Sequence, residues 1–189
     1  MMEFVYAYAY FVLYAFLGWV CEDLYCGIPA KKFINRGFFY GPYCPIYGVG
    51  ALLVLYPLLF VKDYPILVFI LGVIITSTLE YITSWVMEIL FKTRWWDYSE
   101  RFMNINGRVC LLNSTLFGIM SIVVVYIIHP VIQDIVLDIP LTALMSFLSA
   151  FTIGFGIDCV FTVLALLRRK KVFQKIQTQM EAFKKDFEA

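Results

Sequence analysis

Glu80, Ser84 and Glu88 recur at i, i+4 and i+8 inside an apolar run, with Thr76 and Thr83 at nearby positions. That spacing gives a helix one polar face, which belongs inside a bundle rather than against lipid. Glu22 and Asp23 close another apolar run, and Asp158 lies deep in a third. A carboxylate at the centre of a bilayer costs roughly 2.5–3.5 kcal/mol even on the lenient insertion scale, so each one needs a reason. Arg36 and Arg108 stand beside glycines, just ahead of returning apolar runs, where each could pair with a glutamate: Glu22 with Arg36, Glu88 with Arg108. Such pairs either pin loops to helix ends or line a polar cavity that binds a substrate. Glu80 and Asp158 have no basic residue at comparable depth. They are candidates for proton-coupled or cation-linked function, or else carboxyls hydrogen-bonded to Ser, Thr or Tyr across a helix interface.

The elements that must position these groups follow from composition. The chain has 189 residues, 62% apolar and 15% charged, with a mean hydropathy of +0.81. Soluble domains run at about 45–50% apolar and about 25% charged, so the sequence reads as an all-α integral membrane protein. Five windows approach the ~20 apolar residues a bilayer needs: Phe4–Leu24, Pro45–Val61, Pro65–Leu90, Val109–Ile128 and Pro140–Leu167. The first lacks a basic n-region and reads as a span rather than a removable signal. Residues 1–169 then form a transmembrane domain and 170–189 a polar tail.

Lys and Arg set the orientation. The connections at 25–44 and 91–108 and the C-terminal tail carry 14 of them, against Lys62 alone on the opposite side. The expected topology has the N-terminus outside, with both long loops and the C-terminus cytoplasmic, in the bacterial cell membrane. An internal repeat accompanies it. "GWVCEDLY" (18–25) aligns with "SWVMEILF" (84–91), and "PIYGVGALLVLY" (45–56) with "TLFGIMSIVVVY" (115–126). "NRG" (35–37) has its counterpart in "NGR" (106–108). The first four spans are thus expected to form two parallel helix–loop–helix units related by an axis along the membrane normal.

Other features are weaker. "RWWDYSERF" (94–102) places aromatic rings at the expected cytoplasmic interface, where such rings anchor. His129 reads as interfacial, with a connection running from His129 to Ile139. Gly72, Gly154 and Gly156 suggest close helix packing. The five cysteines show no CxxC pair or Cys/His cluster and read as reduced apolar residues. In the tail, Val172, Ile176, Met180, Phe183 and Phe187 recur at helical spacing, an amphipathic helix suited to an anionic lipid surface or a partner. No Walker, zincin or nucleophile-elbow motif is present, and nothing calls for a cofactor, a metal or nucleic acid.

The combination of Glu22, "NRGFFYGPYCPIYG" (35–48), "LEYITSWVMEILF" (79–91), "WWDYS" (95–99) and "NINGRVCL" (104–111) resembles the bacterial membrane family labelled putative ABC-transporter type IV. The resemblance implies a permease subunit served by a separate ATPase docked on the loops or tail. The leading expectation is a transport-related protein with a cytoplasm-facing site of Glu22, Arg36, Glu80, Glu88, Arg108 and Asp158, working as a homo-oligomer among membrane lipids. The rivals are a membrane-embedded enzyme or flippase acting on a lipid-linked substrate, and an accessory or regulatory subunit.

Overall fold

Prolines start three of the helices. The computed structural model describes residues 2–31 and 38–187, and their side chains except at 26, 29–30 and 169–187. Its elements are α1 (Met2–Ala30), α2 (Pro45–Leu58), α3 (Pro65–Phe91), α4 (Leu111–Val123), α5 (His129–Asp138) and α6 (Leu141–Phe187). Pro45, Pro65 and Pro130 fall in the first turns of α2, α3 and α5, where the missing N–H costs nothing. Lys31 and Lys92 take left-handed backbone angles just past α1 and α3, and the Lys92 amide donates back to the Glu88 carbonyl.

α1 with α2, and α3 with α4, form two antiparallel helix pairs, and the loops closing both pairs lie at one end of the bundle. Each pair is drawn tight by a glycine on its returning helix. A methyl at Gly48 would stand 2.6 Å from the Phe11 carbonyl oxygen, and one at Gly118 would stand 2.5 Å from Val73 Cγ2. Gly72 faces Ser121 and Gly118 in the same way, as its sequence context suggests. The apolar core gathers at the end away from the loops, where Leu58, Val68 and Val136 are fully buried beside Val12, Val125 and Leu144. That segregation leaves the loop end for the polar residues.

Among the described residues, four helical stretches are long and apolar enough to cross a membrane: Met2–Tyr25, Pro65–Phe91, Leu111–Asp138 and Leu141–Arg168. The expected second span, Pro45–Val61, is an apolar helix that closes in a tight 3-10 turn after Pro57. Its length of about 25 Å is short of the ~30 Å hydrocarbon core. The expected connection from His129 needs a correction, because helix continues to Asp138. Pro130 does not end it: a π-turn over Val124–Ile128, closed by the His129 amide on the Val124 carbonyl, widens the coil ahead of the proline ring. His129 is 5% exposed, 3.3 Å from the Tyr14 hydroxyl and edge-on to Tyr10.

α6 runs unbroken into the tail, so the backbone of residues 170–187 prolongs the last span instead of forming a separate element. The side chains proposed for its amphipathic face lie outside the described residues. Among the described residues, a methyl added at Gly154 or Gly156 would have no neighbour within 4 Å, so neither mediates close packing there.

Candidate functional site

The loop between α3 and α4 is built to hold its side chains still. Asp97 accepts from the Ser99 amide (2.9 Å) and hydroxyl (2.5 Å), and these bonds hold its carboxyl below the usual carboxylate range. Asn104 donates to the Ser99 and Arg101 carbonyls and accepts the Gly107 amide. Gly107 takes φ +68°, and a methyl there would meet Asp97 and Ser99 within 2.5 Å, so only glycine fits. The Trp96 indole donates to the Arg108 carbonyl, and the Tyr98 amide to that of Gly107. This scaffold directs Tyr98 and Arg108 into the mouth of the bundle.

Arg108, 9% exposed, reaches Glu88 with one nitrogen (2.6 Å) and the Ser84 hydroxyl with the other (3.2 Å), and its guanidinium lies over the Tyr81 ring. Arg94 closes the same cluster on Glu88 (3.1 Å) and Asp97 (3.7 Å). The pair expected between Glu88 and Arg108 is thus formed, and Ser84 joins it from the same face of α3. Arg36, expected to pair with Glu22, lies outside the described residues.

Glu80 is one helical repeat deeper and 7% exposed. The Tyr98 hydroxyl donates to its Oε1 (3.2 Å) and in turn accepts from the Asn113 amide (2.6 Å). Burial, with Glu80 alongside, pushes the Tyr98 phenol well above its ordinary range, so it remains a proton donor. Glu80 Oε2 is buried with no hydrogen-bond partner among the described residues. Across the bundle Glu22 accepts the Tyr47 hydroxyl. Gly18 permits this, since a methyl there would overlap the Tyr47 side chain at 2.3 Å. Glu22 lies near enough to Glu80, Tyr47 and Tyr98 to act on each of them electrostatically.

Asp158 belongs elsewhere. From α6 it accepts the Gly41 amide (2.7 Å), the Tyr40 amide (3.2 Å), the Thr162 hydroxyl (2.9 Å) and the Tyr43 hydroxyl. Phe39 packs tilted against Phe155, and Tyr43 packs edge-on against Phe151 and Phe155, both on α6. Asp158 therefore fastens the segment ahead of α2 to the last span. An open groove of about 520 Å³ passes beside it, lined by Tyr40, Gly154, Phe161 and Arg168 among others.

Of the six residues expected to share one site, Arg36 lies outside the described residues, Glu88 and Arg108 form an ion pair, Glu80 is held by Tyr98, Glu22 by Tyr47, and Asp158 lies apart on α6. Hydroxyl partners, the bland alternative for Glu80 and Asp158, are what both carboxyls have found. The residues that the sequence reading missed are the donors Tyr43, Tyr47, Tyr98 and Asn113. Tyr98 was visible in "WWDYS" only as an interfacial ring. Its role depends on a loop path that no periodicity encodes.

Membrane-length helices, an apolar core at one end and a charged cluster under a structured loop at the other define a multi-pass membrane protein. Residues 9–163 match the family described as "Putative ABC-transporter type IV", and the chain belongs to that family. No curated protein and no solved structure matches it.

Proposed function

We propose that this chain is the permease subunit of a membrane transport assembly, with a polar site at the loop end of the bundle. The observation that carries the reading is the burial of Glu80 and Arg108, with the half-buried Glu22 and Glu88, at the end of the bundle away from its apolar core. Buried charge in a membrane protein is expensive and marks a substrate or ion path by default. Arg36 joins the site through its sequence equivalence to Arg108. The excess of Lys and Arg on the loop side makes that side cytoplasmic, with the N-terminus outside.

Two parallel repeats are the architecture that best accounts for the site. Equivalent positions Tyr47 and Phe117 meet at 6.3 Å between rings, and Gly48 and Gly118 each seat the first helix of their own pair. The permease role requires an ATPase bound on the cytoplasmic loops or tail, and few spans for a transporter call for more than one copy of the chain. Affinity purification from native membranes in mild detergent tests this reading. An ATP-binding subunit co-eluting in fixed ratio supports it. A stoichiometric lipid-linked substrate with turnover, or an intact complex without any ATPase, overturns it in favour of an enzyme or an accessory subunit.

A further inference from the structure

The groove beside Asp158 ends on an unmatched cation. Gly154, Ile157, Phe161, Leu164 and Arg168 recur at i, i+3, i+7, i+10 and i+14, so a single stripe of α6 lines it. Tyr40 completes the lining, and Asp158 holds it there by accepting the Tyr40 and Gly41 amides. Ile157, Phe161 and Leu164 are exposed, on the least buried of the four membrane-length helices. Arg168 closes the stretch Leu141–Arg168, which puts it at the level of the lipid headgroups. From Gly154 to Arg168 the helix rises about 21 Å, close to half of a ~40–45 Å bilayer with its headgroups. The groove therefore runs through one leaflet, apolar along its length and cationic at its mouth.

Among the described residues Arg168 has no hydrogen bond or ion pair. Asp158 lies about 15 Å back along the helix and already has two donors on each oxygen. The remaining residues add no nearby carboxyl: 24–62 contain no Asp or Glu, and the first acid of α6 after Asp158 is Glu181. That residue stands about 20 Å further on.

We propose that the groove binds one anionic phospholipid, with an acyl chain along the Gly154–Leu164 stripe and its phosphate on Arg168. A guanidinium takes a phosphate through two parallel N–H···O bonds. The basic run continues in sequence through Arg169, Lys170 and Lys171, which favours a net-negative headgroup over a zwitterionic one. A second copy of the chain fits less well. Related by a two-fold axis along the membrane normal, it would set its own Arg168 against the first. The bound lipid touches both α6 and Tyr40, and so braces the contact that Asp158 makes. This site is separate from the loop-end charges on which the transport reading rests.

The test uses the full chain purified in mild detergent. It is titrated with dioleoyl phosphatidylglycerol, with dioleoyl phosphatidylcholine, or with glycerol phosphate, which carries the phosphate without chains. Native mass spectrometry counts the lipid retained, and melting temperature is read in parallel. One phosphatidylglycerol per chain is expected to be retained and to raise the melting temperature. Phosphatidylcholine is expected to bind severalfold more weakly, and glycerol phosphate to have no effect. Arg168→Gln is expected to weaken phosphatidylglycerol about fivefold and to narrow its preference over phosphatidylcholine. Gly154→Leu, which fills the groove far from the charge, is expected to weaken both lipids alike. Neither position has a packing or bonding partner among the described residues, so both variants are expected to melt like the native chain before lipid is added. Equal affinity for the two lipids, stabilisation by glycerol phosphate alone, or unchanged phosphatidylglycerol affinity in either variant overturns the inference. So does a lipid-free dimer that Gly154→Leu dissociates, which would put a second copy in the groove.

Discussion

Asp158→Asn is the sharpest test of how the last helix is held. The change keeps shape and removes charge, in a residue 9% exposed. In the native protein Oδ1 accepts from the Tyr40 amide and the Thr162 hydroxyl, and Oδ2 from the Gly41 amide and the Tyr43 hydroxyl. Replacing either oxygen with an NH2 group turns it towards two donors. The hydroxyls can rotate to other acceptors, but a backbone N–H cannot, so at least one amide is left unsatisfied. An orphaned buried donor costs about 1–3 kcal/mol, and the surviving bonds lose their charge assistance. The expected loss is about 2–3 kcal/mol, or about 4–12 °C in melting temperature for a chain of this size. Cys44, buried directly after Tyr43, reports on the same segment. In a background retaining only that cysteine, maleimide labelling is expected to accelerate in Asp158→Asn and not in Thr162→Val. Unchanged melting together with unchanged labelling would refute the reasoning, because the carboxylate would then not be what fastens the segment.

Three further outcomes follow from the geometry. Gly48→Ala drives a methyl against the Phe11 carbonyl, a backbone atom that cannot swing away, and is expected to cost about 1–3 kcal/mol in thermal unfolding. Arg108→Lys keeps the charge but cannot serve Glu88 and Ser84 through two nitrogens of one planar group. It is expected to lower the melting temperature while Ser84→Ala lowers it less, and the reverse order would count against the bidentate arrangement. Asp97 titrates below its ordinary value of 3.8, chiefly because of the Ser99 hydroxyl and amide. A lowered folded-state value means that its contribution to loop order is present above the ordinary value and is lost as pH falls through the lowered one. Tryptophan emission from Trp95 and Trp96 is expected to shift in that acid range, and Asp97→Asn to show the shifted emission already at neutral pH.

The sequence by itself determined the solvent this protein folds in. Its apolar content, the long runs and the carboxylates that interrupt them require helices in a bilayer, because only hydrogen-bonded backbone is tolerated there. Pro45 and Pro65 marked helix starts, and Glu80, Ser84 and Glu88 marked the inward face of α3, since helical period and proline geometry are local properties. The pairing of Glu88 with Arg108 was legible too, because both residues flank one loop of about twenty residues. Tertiary structure alone decided the rest. Pro130 reads as a stop until the π-turn absorbs it, and Asp158 reads as a member of the charged site until the segment ahead of α2 folds across to α6. Tyr98 looks like an interfacial ring, and nothing in the sequence singles out Tyr43 or Tyr47, until loop paths and glycine contacts bring their hydroxyls to carboxylates on other helices. A hydroxyl's partner depends on where two distant segments meet in space. Residue type and spacing record only that a partner is needed.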